Sequence, residues 1–248
     1  MPSTSPSPLP PTLSCVAPHL HSALLLTTYA SFFPTLVSSS SPGATLLSTL
    51  PAITLLQSVF CLICVAPAVT PKPASKRPHG KPHPKSTATS SSSSSTASSS
   101  SSSTLRILST RILPTFLSLL LALPLGTIVV SFLLVVFGAP LTTHVAETVG
   151  AAAHVAVLVG LPLVVKNGVD GERWRSVVSC VGEAARGREF GGAVGAAVGA
   201  WMGAVPIPLD WDREWQKWPV PVLTGAYIGY VLGKTIGGAM STLKAKSG

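Results

Sequence analysis

The stretch Arg186-Gly-Arg-Glu-Phe-Gly-Gly-Ala-Val-Gly-Ala-Ala-Val-Gly-Ala-Trp-Met-Gly203, answered by Gly225-Ala-Tyr-Ile-Gly-Tyr-Val-Leu-Gly-Lys-Thr-Ile-Gly237, decides the fold. Gly191, Gly195, Gly199 and Gly203 are spaced by four, and so are Gly225, Gly229, Gly233 and Gly237. Residues four apart share one face of a helix, so each run makes a groove without side chains. In water such a run is a poor helix, since each Gly costs ~1 kcal/mol against Ala. In a bilayer the backbone must bond to itself in any case, and the groove lets a second helix come close. The spacing therefore predicts a tightly packed pair of membrane helices at the C-terminal end, a glycine zipper.

Composition agrees with a membrane reading. The 248 residues are 46% hydrophobic and 10% charged, with a mean hydropathy of +0.51, against about 25% charged in soluble chains. No charge occurs in 1–71, 112–146, 148–165 or 190–209. A spanning helix needs roughly 20 apolar residues, so several fit. The pI of 9.8 does not point to nucleic acid, because all seven basic residues of 1–111 fall in one hydrophilic loop. The remaining ten basic residues face eight acids and cluster at helix ends, as the positive-inside rule describes. The four cysteines form no framework, and Cys61 and Cys64 sit inside an apolar run where soluble thiols cannot reach.

Working outward, residues 1–15 read as a disordered N-terminus rich in Pro and Ser, without the basic n-region of a cleaved signal peptide. Residues 16–66 hold the first two helices, 16–37 and 44–66, the second interrupted by Pro51. Residues 67–111 form a linker, first Pro and Lys rich, then nearly pure Ser, unable to bury a core. The apolar run 112–165 would be roughly 80 Å long as one helix, so it must double back, and Gly138-Ala-Pro140 is the corner. That gives helices at 112–137 and 141–165. A mixed-charge loop follows at 166–189, with a short helix around Trp174. The glycine-ruled pair is expected at about 190–208 and 219–240, and 241–248 is a tail. The fold class is thus an all-α membrane protein of about six transmembrane helices. Basic residues of the linker, the 166–189 loop and the tail place both termini inside, N-in/C-in.

Between the paired helices lies Pro206-Ile-Pro-Leu-Asp-Trp-Asp-Arg-Glu-Trp-Gln-Lys-Trp-Pro219. Three acids within five residues, Asp210, Asp212 and Glu214, suit a divalent cation, as in the D-x-D of some sugar transferases. They lack the glycine and distal Glu of an EF-hand loop. The competing reading pairs these acids locally with Arg213 and Lys217, while Trp211, Trp215 and Trp218 form an interfacial belt. A third reading fits best. Pro206 and Pro208 end the helix, and the loop presents a stiff amphipathic surface to a lipid head group or a partner, with Trp201 on the same rim.

Intramembrane ionisable groups are functional candidates. His144 and Glu147, three apart, share a helical face, and His154 reads as a hydrogen-bonded interior residue. No G-x-S-x-G, H-E-x-x-H or P-loop occurs. Lys244 and Lys246 stand at the fifth and third positions from the end, like the K-x-K-x-x retrieval signal of endoplasmic reticulum membrane proteins.

The run Gly199 to Pro219, with Gly225-Ala-Tyr-Ile-Gly-Tyr230, resembles the signature of the Pig-F family, small multi-spanning subunits of glycosylphosphatidylinositol (GPI) anchor biosynthesis. Phe137-Gly-Ala-Pro140 is similar to that family as well. The sharp match covers about 45 residues; the first 110 match in hydropathy alone, and the linker resembles the low-complexity insert of fungal members. The resemblance implies a non-catalytic, multi-pass subunit of the endoplasmic reticulum membrane. It would stabilise a large multi-spanning catalytic subunit, the GPI ethanolamine phosphate transferase, which moves ethanolamine phosphate onto GPI mannose in the lumen. It assigns this chain no catalytic residue, no metal and no cofactor, and as contacts the partner and membrane lipids. Two alternatives stay open. One is a lipid-linked transferase in its own right, using Asp210, Asp212 and Glu147; the other is a small-solute or lipid transporter, for which Glu147 and Lys234 are the available buried charges.

Overall fold

The computed structural model describes residues 11–68, 108–182, 184–209 and 211–247. Most of the expected 67–111 linker, and Asp210, lie outside the described residues. Within them the chain is helical, without a strand: α1 (Pro11–Ser38), α2 (Pro42–Cys64), α3 (Leu113–Val136), α4 (Val145–Val155), α5 (Leu161–Asn167), α6 (Gly171–Val178), α7 (Arg188–Ala204) and α8 (Val220–Ser247). A π-helical turn, Leu108–Ile112, leads into α3, and another, Ala156–Gly160, joins α4 to α5. A single 3-10 turn, Glu214–Gln216, precedes α8.

Among the described residues, four segments are long and apolar enough to cross a membrane: Val16–Ser38, Pro42–Cys64, Thr110–Val136 and Val145–Asn167. The zipper helices are not among them. At 17 residues α7 is only ~26 Å long, under the ~30 Å hydrocarbon core. α8 has the length, but five glycines and Lys234 dilute its apolar content.

The fourth segment is the centre of the bundle. It is 78% buried, whereas Thr110–Val136 is 6% buried and lies outermost, displaying Phe116, Leu120, Ile128 and Phe132 outward. In a bilayer such exposure faces lipid tails and costs nothing. α2 packs across α4 by close approach: a Cβ on Gly43 would come within 2.7 Å of Ala146 Cβ, and one on Gly150 within 3.0 Å of Leu46 Cβ. Leu25, Leu36, Leu46, Ile53, Val157, Leu158, Leu223 and Tyr227 complete the core where α1, α2 and α8 meet this segment.

Several boundaries differ from the sequence reading. α1 begins at Pro11, inside the expected 1–15 N-terminus, and α8 runs to Ser247, through most of the expected 241–248 tail. α2 runs unbroken through Pro51, which is exposed, so its ring faces outward and only one helical bond is lost. α4 begins at Val145 rather than 141, because the corner takes up Leu141–Thr143 and is tied down by Thr148 Oγ1 donating to Pro140 O at 2.9 Å. α7 stops at Ala204, ahead of Pro206, whose missing N–H makes it a poor interior residue.

Candidate functional site

The zipper glycines lie in the seam between α7 and α8. The pairs Gly191–Gly233, Gly195–Gly229 and Gly199–Gly225 step forward on α7 and back on α8, so the helices are antiparallel in one fixed register. A Cβ on Gly195 would overlap the carbonyl oxygen of Gly229 and reach 2.8 Å from Gly233 Cα. The reciprocal positions are as tight: a Cβ on Gly229 would lie 2.9 Å from Gly199 Cα. Gly203 meets Pro221 O, and Gly237 meets Gly187 O at the other end. Here the backbones themselves are in contact, an approach that only glycine allows.

Along this seam runs an open apolar groove of about 1410 Å³. Its floor holds all eight glycines, and its walls carry the exposed side chains of Val194, Val198, Met202, Ile228 and Leu232. Lys166 and Arg186 stand at one end, Pro206 and Trp215 at the other.

The connection between the two helices is organised by a residue that sequence reasoning passed over. Gln216 is buried; its Nε2 donates to Pro206 O at 2.7 Å and to Leu209 O. Its Oε1 accepts from the Arg213 N–H at 3.1 Å, so the amide satisfies three backbone groups of the loop. A lone Gln gives no periodic or motif signal in a sequence. The acids that drew attention do less. Glu214 pairs with Lys217 at the surface, worth at most about 1 kcal/mol. Among the described residues Asp212 and Arg213 join no ion pair, and Asp212 occupies a left-handed conformation at φ 48°.

Pro206 and Pro208 lie in the turns after α7, and Trp201 is exposed on its last turn. Trp211 and Trp215 are exposed, with ring centroids 6.0 Å apart. Trp218 is half-buried, and its Nε1 donates to Thr148 Oγ1 at 3.1 Å. Because Thr148 in turn holds Pro140 O, the loop is locked to the α3–α4 corner.

The His144–Glu147 pairing needs correction. His144 is the exposed cap residue before α4 and Glu147 sits half-buried in the first turn, so His144 lies outside the helix and neither is deep in a span. The deep histidine is His154. Its Nε2 donates to Leu46 O at 2.9 Å, which in the neutral ring leaves Nδ1 to accept from the Tyr227 hydroxyl at 2.8 Å. Tyr29 stacks on Tyr227 with centroids 4.4 Å apart and its hydroxyl donates to Thr224 Oγ1 at 2.6 Å, whose own proton is on Val220 O.

A second polar node holds α8 to α2. Pro162 has no N–H to offer the Leu158 carbonyl four residues earlier, and Gln57 Nε2 donates to that carbonyl at 3.0 Å and to Tyr230 Oη at 2.9 Å. One turn along α8, Lys234 Nζ donates to His21 Nδ1 at 2.7 Å and lies 3.6 Å from the Phe60 ring centroid. A lysine at membrane depth costs about 2.5–3.5 kcal/mol on insertion scales, which the histidine and the ring face offset. Lys234 is sixteen residues beyond Trp218, ~24 Å along the helix, whereas Glu147 adjoins Thr148 at the loop end. The two charges that a transport path would need therefore stand at opposite ends. Lys244 and Lys246 fall on the helical backbone of α8, and their side chains lie outside the described residues. Among those described, no cluster of three metal-ligating side chains occurs.

Comparison with known proteins places this arrangement. The family model "GPI biosynthesis protein family Pig-F" matches residues 20–238. The chain is 46% identical over 242 residues to glycosylphosphatidylinositol anchor biosynthesis protein 11 of Aspergillus fumigatus, covering 92% of this chain and 80% of that protein. It is 39% identical over 225 residues to the protein of the same name from Neurospora crassa, covering 90% and 74%. A PIGF/3-ketodihydrosphingosine reductase fusion protein of Schizosaccharomyces pombe is 36% identical over 113 residues, 46% of this chain and 23% of that one. No solved structure matches.

Proposed function

Because the chain belongs to the Pig-F family of GPI biosynthesis proteins, we propose that it is a non-catalytic membrane subunit that stabilises a GPI ethanolamine phosphate transferase. The observation that supports this most is the groove along α7 and α8. In lipid, helices gain nothing from burying apolar area, and close packing against small residues drives their association. A seam floored by eight glycines and walled by exposed apolar side chains offers that contact along its whole length to a helix of the large transferase. The loop locked by Gln216 and Trp218 fixes the end of the groove, where Trp211 and Trp215 are available to the partner or to lipid.

In this reading α7 and α8 cross the endoplasmic reticulum membrane as the fifth and sixth spans, thinning the bilayer locally around short α7. Lys166, Arg173, Arg175, Arg186 and Arg188 stand on the cytosolic side, with the 67–111 linker and the 241–248 tail, and the 205–219 loop faces the lumen. The test is affinity purification of the tagged protein in mild detergent with mass spectrometry of what accompanies it. A multi-spanning transferase in near-equal amount is expected. Recovery of this chain alone, stable and monodisperse, overturns the subunit reading.

A further inference from the structure

At the end of the bundle away from the Trp loop, a cavity of about 150 Å³ opens between the start of α1, the start of α7 and the end of α8. Arg188 and Lys234 line it together with His19, and no carboxylate does. Three hydroxyls in its wall already donate to carbonyls of their own helices, so the available donors are the cations. At ~30 Å³ per water the space of about 150 Å³ holds about five waters, room for a tetrahedral oxyanion with water beside it.

Both cations are held in place, and among the described residues neither forms an ion pair. Lys234 is 2% exposed and spends one of its three N–H donors on His21. The Arg188 stem lies flat on Gly238, where a Cβ would come within 2.7 Å of its Nε and 2.9 Å of its Cγ. The acid next to it, Glu189, is held by Lys166 Nζ at 3.0 Å. Among the described residues neither Arg188 nor Lys234 pairs with a carboxylate. Two basic groups lining one cavity repel each other when both are charged, and an anion entering it relieves that repulsion.

We propose that this cavity binds a phosphate group at the membrane surface, Arg188 supplying the planar fork that suits phosphate oxygens and Lys234 a buried point charge. Its mouth lies at the first residues of the apolar span Val16–Ser38. Leu20 and Leu243, next in sequence to His19 and Thr242, are exposed apolar side chains. That setting favours a phosphate carried on an acyl-chain lipid over a free ion. The site is independent of the transferase, so Arg188→Gln is expected to leave partner recovery unchanged.

The test uses the full-length protein in mixed micelles with phosphatidic acid or phosphatidylcholine, read by native mass spectrometry, and inorganic phosphate as a soluble competitor. One phosphatidic acid is expected to be retained in preference to phosphatidylcholine. Retention should weaken about tenfold, a ~1.4 kcal/mol loss, in Arg188→Gln, recover partly in Arg188→Lys, and weaken in Gly238→Ala, where Arg188 is intact but displaced. Arg188-dependent binding of inorganic phosphate alone, at matching affinity, supports the phosphate site and assigns a free ion as its occupant. Phosphatidic acid retained equally by the parent and by folded Arg188→Gln and Gly238→Ala, with no inorganic phosphate bound, overturns the proposal.

Discussion

The hydroxyl of Tyr227 lies 2.8 Å from Nδ1 of His154, and this contact ties the zipper hairpin to the most buried span of the bundle. Tyr227 sits on α8 between the seam glycines Gly225 and Gly229, on the face turned away from α7. One face of α8 therefore meets α7 through the bare backbone of the seam, while the other meets α1, α2 and α4 through Tyr227 and Lys234. Tyr230 between them bonds Gln57 of α2 and packs its ring on Gly192 of α7. Loss of the Tyr227 hydroxyl would leave a buried ring nitrogen without a partner.

Tyr227→Phe is accordingly expected to destabilise the protein by about 1–3 kcal/mol. His154→Ala should cost more, because it also frees Leu46 O and opens a cavity. Thermal unfolding in a single detergent measures both. A Tyr227→Phe midpoint equal to the parent's would show that the contact adds nothing.

The seam makes a graded prediction. Gly195→Ala forces a Cβ onto the Gly229 carbonyl oxygen, and such overpacking typically costs 1–3 kcal/mol. Gly199→Leu and Gly229→Leu should be worse, lowering the level of this protein and, with it, that of the transferase. Gly171→Ala is the control, since a Cβ there meets nothing within 4 Å. Steady-state levels by immunoblot separate these cases. Normal levels of both proteins in the two leucine variants would sink the packing argument.

What the sequence made legible here follows from periodicity. Glycines every four residues must share a helical face, and apolar runs of 20 or more residues announce themselves by length. The polar nodes have no such signature. Gln57 meets Tyr230 across 173 positions of sequence and His154 meets Leu46 across 108, so neither partner marks the other. A helix from 141 carries His144 and Glu147 in its first two turns, and His154 deeper as the hydrogen-bonded interior residue that it proves to be. The corner consumed that first turn, and the depth belongs to His154. In the loop, three acids drew attention through their charge, while neutral Gln216 holds the backbone.

Gln216 carries the next prediction. Gln216→Glu replaces the Nε2 amide group, which donates to both the Pro206 and Leu209 carbonyls, by one carboxylate oxygen, turning two attractions into repulsions. Residues 205–219 should become more sensitive to limited proteolysis, with the helices intact by circular dichroism. Asp212→Asn, outside any ion pair among the described residues, should leave the digestion pattern as it is. A pattern in Gln216→Glu identical to the parent's would remove Gln216 as the organiser of the loop. Loss of transferase activity in Asp212→Asn with the complex intact would move attention back to the acids.

Sidedness is tested with thiols already in the chain. Cys180 is exposed, whereas Cys61 is buried, and Glu214 is an exposed loop position at the far end of α7. If α7 and α8 both cross the bilayer, Cys180 and residue 214 lie on opposite sides. In sealed microsomes carrying Cys15→Ser and Cys64→Ser, an impermeant maleimide should label Cys180 without detergent, and a further Cys180→Ser should remove that signal. In that background, Glu214→Cys should be labelled only after the membrane is permeabilised. Labelling of residue 214 in sealed vesicles would mean that the short, glycine-rich α7 does not cross. The hairpin would then lie on the cytosolic face, and its groove could not run beside a spanning helix of the transferase.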